Sequence, residues 1–223
     1  MVRMSSGTLL AVCRVHELLP TTDATGVTAI DKRPVDGPVR VHALGLSGDI
    51  QASRKHHGGE SKAVYAYSQE DADYWAAELG TEISPGLFGE NLRISGMPVS
   101  EAVIGERWQV GGKTVLEVTC PRTPCRNFAA RMRQPRWAVR FTEAGRTGTY
   151  LRVVRTGSIE AGDGVSVIHR PEHGVTSGDV FRGLSPEQTR LLAAAAAGGD
   201  VSLSPEIRKV LRTLAARGAM AGQ

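Results

Sequence analysis

The amino-acid sequence predicts a mainly β protein with some α-helix: a barrel or sandwich with one packed helix, followed by a short C-terminal three-helix region. Apolar residues between Thr8 and Ile168 come mostly in short β-type runs separated by glycine-rich turns. One helical pattern interrupts these runs, and after Pro171 only helical patterns follow. The 223 residues can bury a core, and 41% apolar with 22% charged residues is typical of folded soluble proteins.

Strands are predicted where apolar residues of high β propensity cluster over five or six positions. These runs are Thr8–Val12, Val39–Leu44, Ala63–Tyr67, Thr149–Val154 and Gly164–Ile168. A hairpin is predicted where 108–110 and 113–118 flank Gly111-Gly112, because glycine adopts the positive φ that a two-residue hairpin turn requires. Many short strands with such turns indicate a barrel or sandwich.

The helix inside the strand region is predicted from its cap and its apolar stripe. Ser68 can cap its N-terminus and Gly80 follows its end. The stripe consists of Ala72, Trp75 and Leu79, spaced for one helical face. We therefore expect this helix to pack against the sheet.

Three helices are predicted after the last strand. Thr176 with Asp179 opens the first, and Ser185 to Gln188 forms a capping box with proline at the first helical position. Gly198-Gly199 ends the second helix. The third begins at Ser204-Pro205-Glu206, carries an apolar stripe of Ile207, Val210, Leu211 and Leu214, and is expected to end at Gly218. The predicted division is a barrel domain over 1–170 and a helical region over 171–223, which is small enough to need docking on the barrel or a partner.

Cysteine usage and the N-terminus indicate a cytoplasmic protein with no membrane partner. Cys13, Cys120 and Cys125 are too few, and odd in number, for a disulfide framework, so a reducing compartment is expected. The apolar run at 8–12 is too short for a signal peptide or a membrane span.

A basic segment runs from Arg122 to Arg155, with nine arginines and one acid, Glu143. Arginine matches oxyanions well, so the segment predicts a site for phosphate or an acidic protein, or else a solvated basic face. Nucleic acid is disfavoured because aromatic residues are sparse here and no helix-turn-helix or zinc-finger pattern is present. A basic protein that docks nucleic acid stays a third alternative, and it predicts affinity that falls steeply with salt.

Cys125 is the strongest candidate for chemistry. It follows Pro124 and lies between Arg122 and Arg126, whose charge favours a thiolate able to act as a nucleophile or soft-metal ligand. An inert cysteine is the alternative. Zinc is disfavoured because Cys120 and Cys125 are five positions apart, wider than the usual pair. Cys120 is expected to be structural.

Two further segments are candidates for ligand contacts. In His57-Gly58-Gly59 the glycines permit close backbone approach while His57 or Lys55 meets an anion, although a plain turn explains the same residues. In Phe88-Gly89-Glu90-Asn91 the Asn91 amide can donate and accept, as recognition of a heterocycle edge demands, and Asn is also common in turns.

Taken together, five segments resemble a MOSC domain. They are Gly45–Asp49, His57-Gly58-Gly59 with Lys62-Ala63-Val64, Phe88–Leu92, Ile104–Trp108 and Pro121–Cys125. The order and spacing are similar to the YiiM-like branch of that family, and Val175–Val180 with the helices after it resembles the three-helix region of that branch. The resemblance covers most of the chain. It implies a MOSC-type β-barrel.

The resemblance also implies a function. The family binds the molybdenum cofactor, a molybdenum-bearing pyranopterin with a terminal phosphate, and Cys125 matches the cysteine that ligates the metal. Lys55, His57, Asn91, Arg122 and Thr123 are the implied cofactor-binding residues. The implied activity is a molybdenum-dependent reduction of N-hydroxylated compounds, such as hydroxylamino bases and amidoximes, with electrons from a separate flavin or iron–sulfur protein. A non-catalytic carrier of cofactor or sulfur is the alternative, and a homodimer is left open.

Overall fold

The fold is a closed β-barrel with six α-helices around it, in a computed structural model that describes residues 6–22, 24–52 and 58–221. The strands are β1 (Ser6–Pro20), β2 (Val27–Pro34), β3 (Val39–His42), β4 (Gly45–Leu46), β5 (Val64–Ser68), β6 (Leu92–Ser95), β7 (Arg107–Val110), β8 (Thr114–Pro121), β9 (Thr149–Arg155), β10 (Gly157–Ile159) and β11 (Gly164–His169). The helices are α1 (Gln69–Leu79), α2 (Arg126–Met132), α3 (Trp137–Ala144), α4 (Ser177–Arg182), α5 (Pro186–Ala197) and α6 (Pro205–Ala221). The predicted fold class is confirmed.

Seven strands close the barrel in the order β11-β7-β8-β9-β5-β6-β1, and β1 pairs with β11 to complete it. The long strand β1 belongs both to the barrel and to a pairing outside it. Its first half pairs with β6 and β11, while its second half leaves the barrel and pairs with β2 from Cys13 to Pro20. β3, β4 and β10 form a separate three-stranded sheet. Because β2 is joined to the barrel by one edge only, its residues are available to line a cavity beside it.

An aromatic cluster joins the helices to the barrel. Trp75 of α1 lies 4.6 Å from Trp137 of α3, measured between ring centroids, and Phe128 of α2 lies 5.0 Å from Phe141 of α3. Phe88 contacts Phe128 edge-on at 5.3 Å. All five side chains are buried. Such aromatic pairs add about 0.5–1.5 kcal/mol each to the free energy of unfolding, beyond the area they bury.

The prediction of one helix within the strand region is wrong, because α2 and α3 lie between β8 and β9. The α1 prediction is confirmed: the Ser68 hydroxyl accepts from the Asp71 amide at 3.1 Å, and Gly80 ends the helix in the left-handed conformation. The two missed helices have seven and eight residues. A helix of that length has about two turns, which is too short for apolar residues to show a clear helical spacing among so many arginines.

The predicted hairpin forms between β7 and β8, but its turn is longer than expected. Val110 pairs with Thr114, so three residues rather than two connect the strands. Only Gly111 has a positive φ, at 58°. Its amide donates to Gly164 of β11 at 2.9 Å, so a contact outside the hairpin holds the turn.

The C-terminal helices dock on the barrel. The predicted capping box at Ser185 is present, and Thr176 with Asp179, expected to open the preceding helix, forms a second one. The Ile104 amide donates to the Val175 carbonyl at 3.0 Å, and the side chains of Leu192 and Ile207 are fully buried. α6 continues through Gly218 to Ala221, so the predicted end is wrong. A domain boundary between 170 and 171 stays a prediction.

No helix of the described ranges is both long and apolar enough to cross a membrane.

Candidate functional site

A small cavity of about 100 Å³ lies where β2, β5 and the segment 121–125 meet. We call it the cysteine cavity. Its polar and reactive lining includes Lys32, Lys62, Tyr65, Asn91, Arg122 and Cys125. The structure thus brings together three of the residues that the sequence singles out, Asn91, Arg122 and Cys125.

Cys125 differs from the other two cysteines in exposure. It lies between β8 and α2, has an extended backbone as the N-cap residue of α2, and is half-buried. Cys13 and Cys120 are buried, and burial raises the pKa of their thiols to about 12 and about 11. Both therefore stay neutral at physiological pH, which leaves Cys125 as the accessible sulfur of the described residues.

Arg122 places a buried positive charge on the cysteine cavity. Its guanidinium donates to the Phe88 carbonyl and lies over the Phe128 ring at 4.0 Å and the Tyr65 ring at 5.1 Å. Burial alone would lower the pKa of Arg122, but Tyr65, Tyr150 and Cys125 raise it above its usual range.

No carboxylate of the described residues pairs with Arg122, and its buried Nε atom has no hydrogen-bond partner there. A buried unpaired cation with an unused donor is costly unless a ligand satisfies it. An anionic group in the cysteine cavity would offset this positive charge.

Asn91 is held by the protein on all sides. Its amide oxygen accepts from the Tyr65 amide at 3.1 Å, and its nitrogen donates to the Cys13 carbonyl at 3.1 Å and to an Asp49 carboxylate oxygen at 2.8 Å. Asp49 also accepts from the Val15 amide at 2.9 Å and pairs with Lys32. These bonds join β1, β2 and β5, so Asn91 and Asp49 shape the cavity wall.

The turn before Asn91 is organised by Glu90, which the sequence did not single out. Its fully buried carboxylate accepts from the Gly86 amide at 2.8 Å and the Phe88 amide at 3.1 Å, and it pairs with Arg93. These bonds fix the Phe88 carbonyl that receives Arg122. Glu90 therefore supports the cavity through the backbone.

Thr123 lines a different cavity. This second space, about 360 Å³, lies between the segment 120–124 and the C-terminal helices, and we call it the helical cavity. Lys62 and Tyr150 border both cavities. Lys62 also pairs with Glu206 of α6 at 2.6 Å, which ties the helical region to the wall between the cavities.

Two predicted site residues are not described by the structure, and three residues that line the cysteine cavity were not predicted. Lys55 and His57 lie outside the described residues. Of the missed lining residues, Lys62 belongs to a segment that carries the family resemblance, whereas Lys32 and Tyr150 carry no local signal. Their place in the cavity depends on strand pairing across the barrel.

The basic segment is partly neutralised in the fold. Four of its arginines pair with carboxylates elsewhere: Arg131 with Asp31, Arg140 with Glu78, Arg146 with Asp71 and Arg152 with Glu117. Arg126, Arg133 and Arg136 are exposed. Across the described ranges, no group of three or more His, Cys, Asp or Glu side chains is placed to hold a metal ion.

Comparison with known proteins finds one family and several relatives. The model of the MOSC domain matches residues 53–166, just over half of the chain. A protein called "Reductase" from Gibberella moniliformis is 38% identical over 147 residues, which are 65% of this chain but 26% of that protein. Protein YiiM of Escherichia coli is 32% identical over 149 residues, covering 64% of this chain and 65% of YiiM.

Among solved structures, YiiM from Geobacillus stearothermophilus has the same fold. It superposes with a TM-score of 0.74 at 24% identity, covering 93% of this chain and 98% of that one. The family match includes Cys125, Arg122 and Asn91 of the cysteine cavity, whereas the lining residues of β2 and of the segment 49–52 precede it and α4 to α6 lie beyond its end.

Proposed function

Because this chain belongs to the MOSC domain family, in its YiiM-like branch, we propose that it binds the molybdenum cofactor in the cysteine cavity and reduces N-hydroxylated compounds. The observation that carries the proposal is the pairing of Cys125, an accessible sulfur, with Arg122, a buried cation that lacks a carboxylate partner among the described residues. Sulfur is a soft metal ligand, and an unpaired guanidinium suits an anion, so the two side chains fit an anionic metal–pterin compound.

Each residue has a distinct part in this proposal. Cys125 ligates molybdenum, and the Arg122 guanidinium binds an anionic group of the cofactor. Asn91 acts as a positioning residue, since its amide is used in holding Asp49 and the Tyr65 backbone. Lys55 and His57 stay proposed contacts to the anion. Thr123, given its place, contributes to the helical cavity.

The proposed reaction uses two electrons and two protons to convert an N–OH group into N–H and water. The bound cofactor would supply the two-electron exchange, as metal–pterin groups do, and a separate flavin or iron–sulfur protein would supply the electrons. The chain holds protons nearby: burial raises the pKa of Tyr150 to about 12 and that of Tyr65 further. Both phenols therefore keep their protons at neutral pH, and Tyr65 donates its own to the Thr147 carbonyl at 2.7 Å.

A turnover assay separates an enzyme from a carrier. The full chain, produced in a host that makes the cofactor, is given benzamidoxime and reduced methyl viologen, and benzamidine is measured by chromatography. We expect turnover in the wild type and a loss of about 100-fold or more in Cys125→Ser, as removal of a group acting at the reaction centre produces. Cys13→Ala, which changes a cysteine outside the cavity, should keep its activity. Bound molybdenum without any product would contradict the enzyme proposal and favour the carrier.

A further inference from the structure

The helices α2 and α3 expose three arginines that have no carboxylate partner among the described residues: Arg126, Arg133 and Arg136. Arg126 directly follows Cys125 as the first residue of α2, and Arg133 lies two helical turns further on, about 10 Å away. Arg136 is the N-cap residue of α3. We call these three residues the arginine surface. One end of it adjoins Cys125, which lines the cysteine cavity.

Each of these arginines occupies a backbone position at which another residue would be more stable. Arg126 and Arg136 lie at the N-terminal ends of α2 and α3, where the partial positive charge of the helix end repels a cation. Arg133 and Arg136 have a positive φ, at 50° and 51°, and no other non-glycine residue of the described ranges adopts this conformation. Positions that oppose local preferences are typical of functional sites, so a partner explains these arginines better than the fold does.

Apolar side chains are exposed on the same faces of the two helices. Ala130 is exposed four positions after Arg126 and three before Arg133, so the three residues share one face of α2. Val139, three positions after Arg136 on α3, is 40% exposed. Arginines around exposed apolar side chains are typical of protein interfaces, in which the apolar residues form the centre and the charges form the rim. The two helices therefore have the composition of a docking surface.

A nucleic acid and a second copy of this chain fit the arginine surface less well than an acidic protein does. The aromatic side chains of these helices, Phe128, Trp137 and Phe141, are buried, so they cannot stack on the bases of a nucleic acid. A second copy bound through the same face would bring two sets of arginines together, because a two-fold interface places each surface against itself. An acidic protein complements the charge and meets neither difficulty.

We propose that the arginine surface docks the acidic face of a redox protein, which delivers electrons beside Cys125. The inference rests on the proposed function for the electron transfer, but the docking depends only on the charges and apolar side chains of this surface. The docked protein is oxidised by two electrons, which together with two protons convert N–OH into N–H and water. Because opposite charges steer such encounters, the docking should be fast and should weaken as salt screens the arginines.

Docking is tested on the full chain by biolayer interferometry, with flavodoxin and a plant-type ferredoxin as the acidic probes. The test variant combines Arg126→Gln, Arg133→Gln and Arg136→Gln, which removes the charges and keeps side chains that suit a helix. We expect at least one probe to bind the wild type, and to bind the variant at least about tenfold more weakly at about 50 mM salt. Raising the salt to about 300 mM should weaken wild-type binding about tenfold and leave the variant nearly unchanged.

The control variant combines Arg208→Gln, Lys209→Gln and Arg212→Gln. It removes the same charge from exposed positions of α6, so it should bind the probe as the wild type does. Val139→Glu, a single change beside the arginines, keeps the test valid if the triple variant misfolds. It should weaken binding at least about fivefold, because the added acid repels the acidic probe.

Four results would overturn the inference. Neither probe binds the wild type; the two triple variants lose the same affinity; the wild type binds duplex DNA through these arginines more tightly than either probe; or the wild type is a dimer that the variant of the arginine surface dissociates. Failure of the proposed function is recognised separately, as absence of molybdenum from a wild type that still binds a probe through this surface. In molybdenum-loaded protein, the KM for the reduced probe should rise at least about tenfold in that variant.

Discussion

The cysteine cavity and the helical cavity share a wall but differ in charge. On the cysteine cavity Lys32 pairs with Asp49, which leaves Arg122 as a buried cation without a carboxylate among the described residues. On the helical cavity Lys62 and Glu206 cancel. One cavity therefore suits an anion and the other an uncharged molecule. The comparison shows that β2, the segment 49–52 and the barrel form the first cavity, whereas the C-terminal helices form one wall of the second.

The largest expected difference is in thiol reactivity, because each cavity has one cysteine. With its pKa at about 11, Cys120 is only about 0.1% thiolate at pH 8, so it should react about a thousandfold more slowly than a fully ionised thiol. Cys125 is half-buried on an open cavity. We expect iodoacetamide to label Cys125 alone in the native protein and all three cysteines in urea, as read by peptide mass spectrometry. Label on native Cys120 would contradict the distinction.

Replacing Asn91 tests whether the side chain of this lining residue stabilises the folded protein. Asn91→Leu leaves the Tyr65 amide and the Asp49 carboxylate without one of their partners, and we expect a loss of about 2–4 kcal/mol in the free energy of unfolding. Urea unfolding would measure this loss, and the dependence of the free energy of unfolding on urea concentration should stay unchanged. Thr28→Val, at another lining position, is the comparison and should cost less than about 1 kcal/mol. A loss below about 0.5 kcal/mol would mean that Asn91 does not hold the wall.

Replacing Arg122 tests the charge of the cysteine cavity. Arg122→Met should lower the molybdenum retained after desalting about tenfold or more, because charge-assisted hydrogen bonds to an anion are lost. Arg122→Lys keeps the charge and should restore part of the binding. The control is Arg126→Met, which removes an exposed arginine four positions away. Equal retention in both methionine variants would show that the buried charge is not used for binding.

The smallest effect is expected at the pair that joins the cavities. Burial acts to raise the pKa of Glu206, but the hydrogen bond and charge of Lys62 outweigh it and lower this pKa below its ordinary value of 4.5. The pair therefore stabilises the folded state above about pH 4.5, and this stabilisation is lost as the pH falls through the lowered pKa. Since Glu206 is 45% exposed, Glu206→Gln should cost less than about 1 kcal/mol at pH 7.

Urea midpoints at pH 7 and pH 3 would check this prediction. Glu187→Gln, whose carboxylate lies on the exposed face of α5, is the control. A difference between wild type and Glu206→Gln that persists at pH 3 would contradict the role of ionised Glu206.

Local signals account for the elements that the sequence predicts correctly. Caps at Ser68, Thr176 and Ser185 involve residues three positions apart, so they can be read without knowing the fold. The helices α2 and α3 were not predictable in this way, because Phe128, Trp137 and Phe141 find their partners on α1 and in the turn before β6.

The site is less predictable than the fold, because its contacts join distant parts of the chain. Cys125 and Arg122 were found through their segment, and Asn91 was expected to meet a ligand, whereas its described bonds are to the protein. Lys62 and Glu206 are 144 positions apart in the sequence, so no local pattern predicts that they pair. The division into two cavities therefore appears only once the barrel closes and α6 docks.

Metal content is the most direct test of the cysteine cavity as the cofactor site. Wild type, Cys125→Ser and Cys13→Ala would be purified from a cofactor-producing host, and molybdenum and pterin measured in each. We expect about one molybdenum and one pterin per chain in the wild type and in Cys13→Ala, and at least about a tenfold loss of molybdenum in Cys125→Ser, since the metal loses its sulfur ligand. Equal molybdenum in the wild type and Cys125→Ser would contradict the ligand assignment.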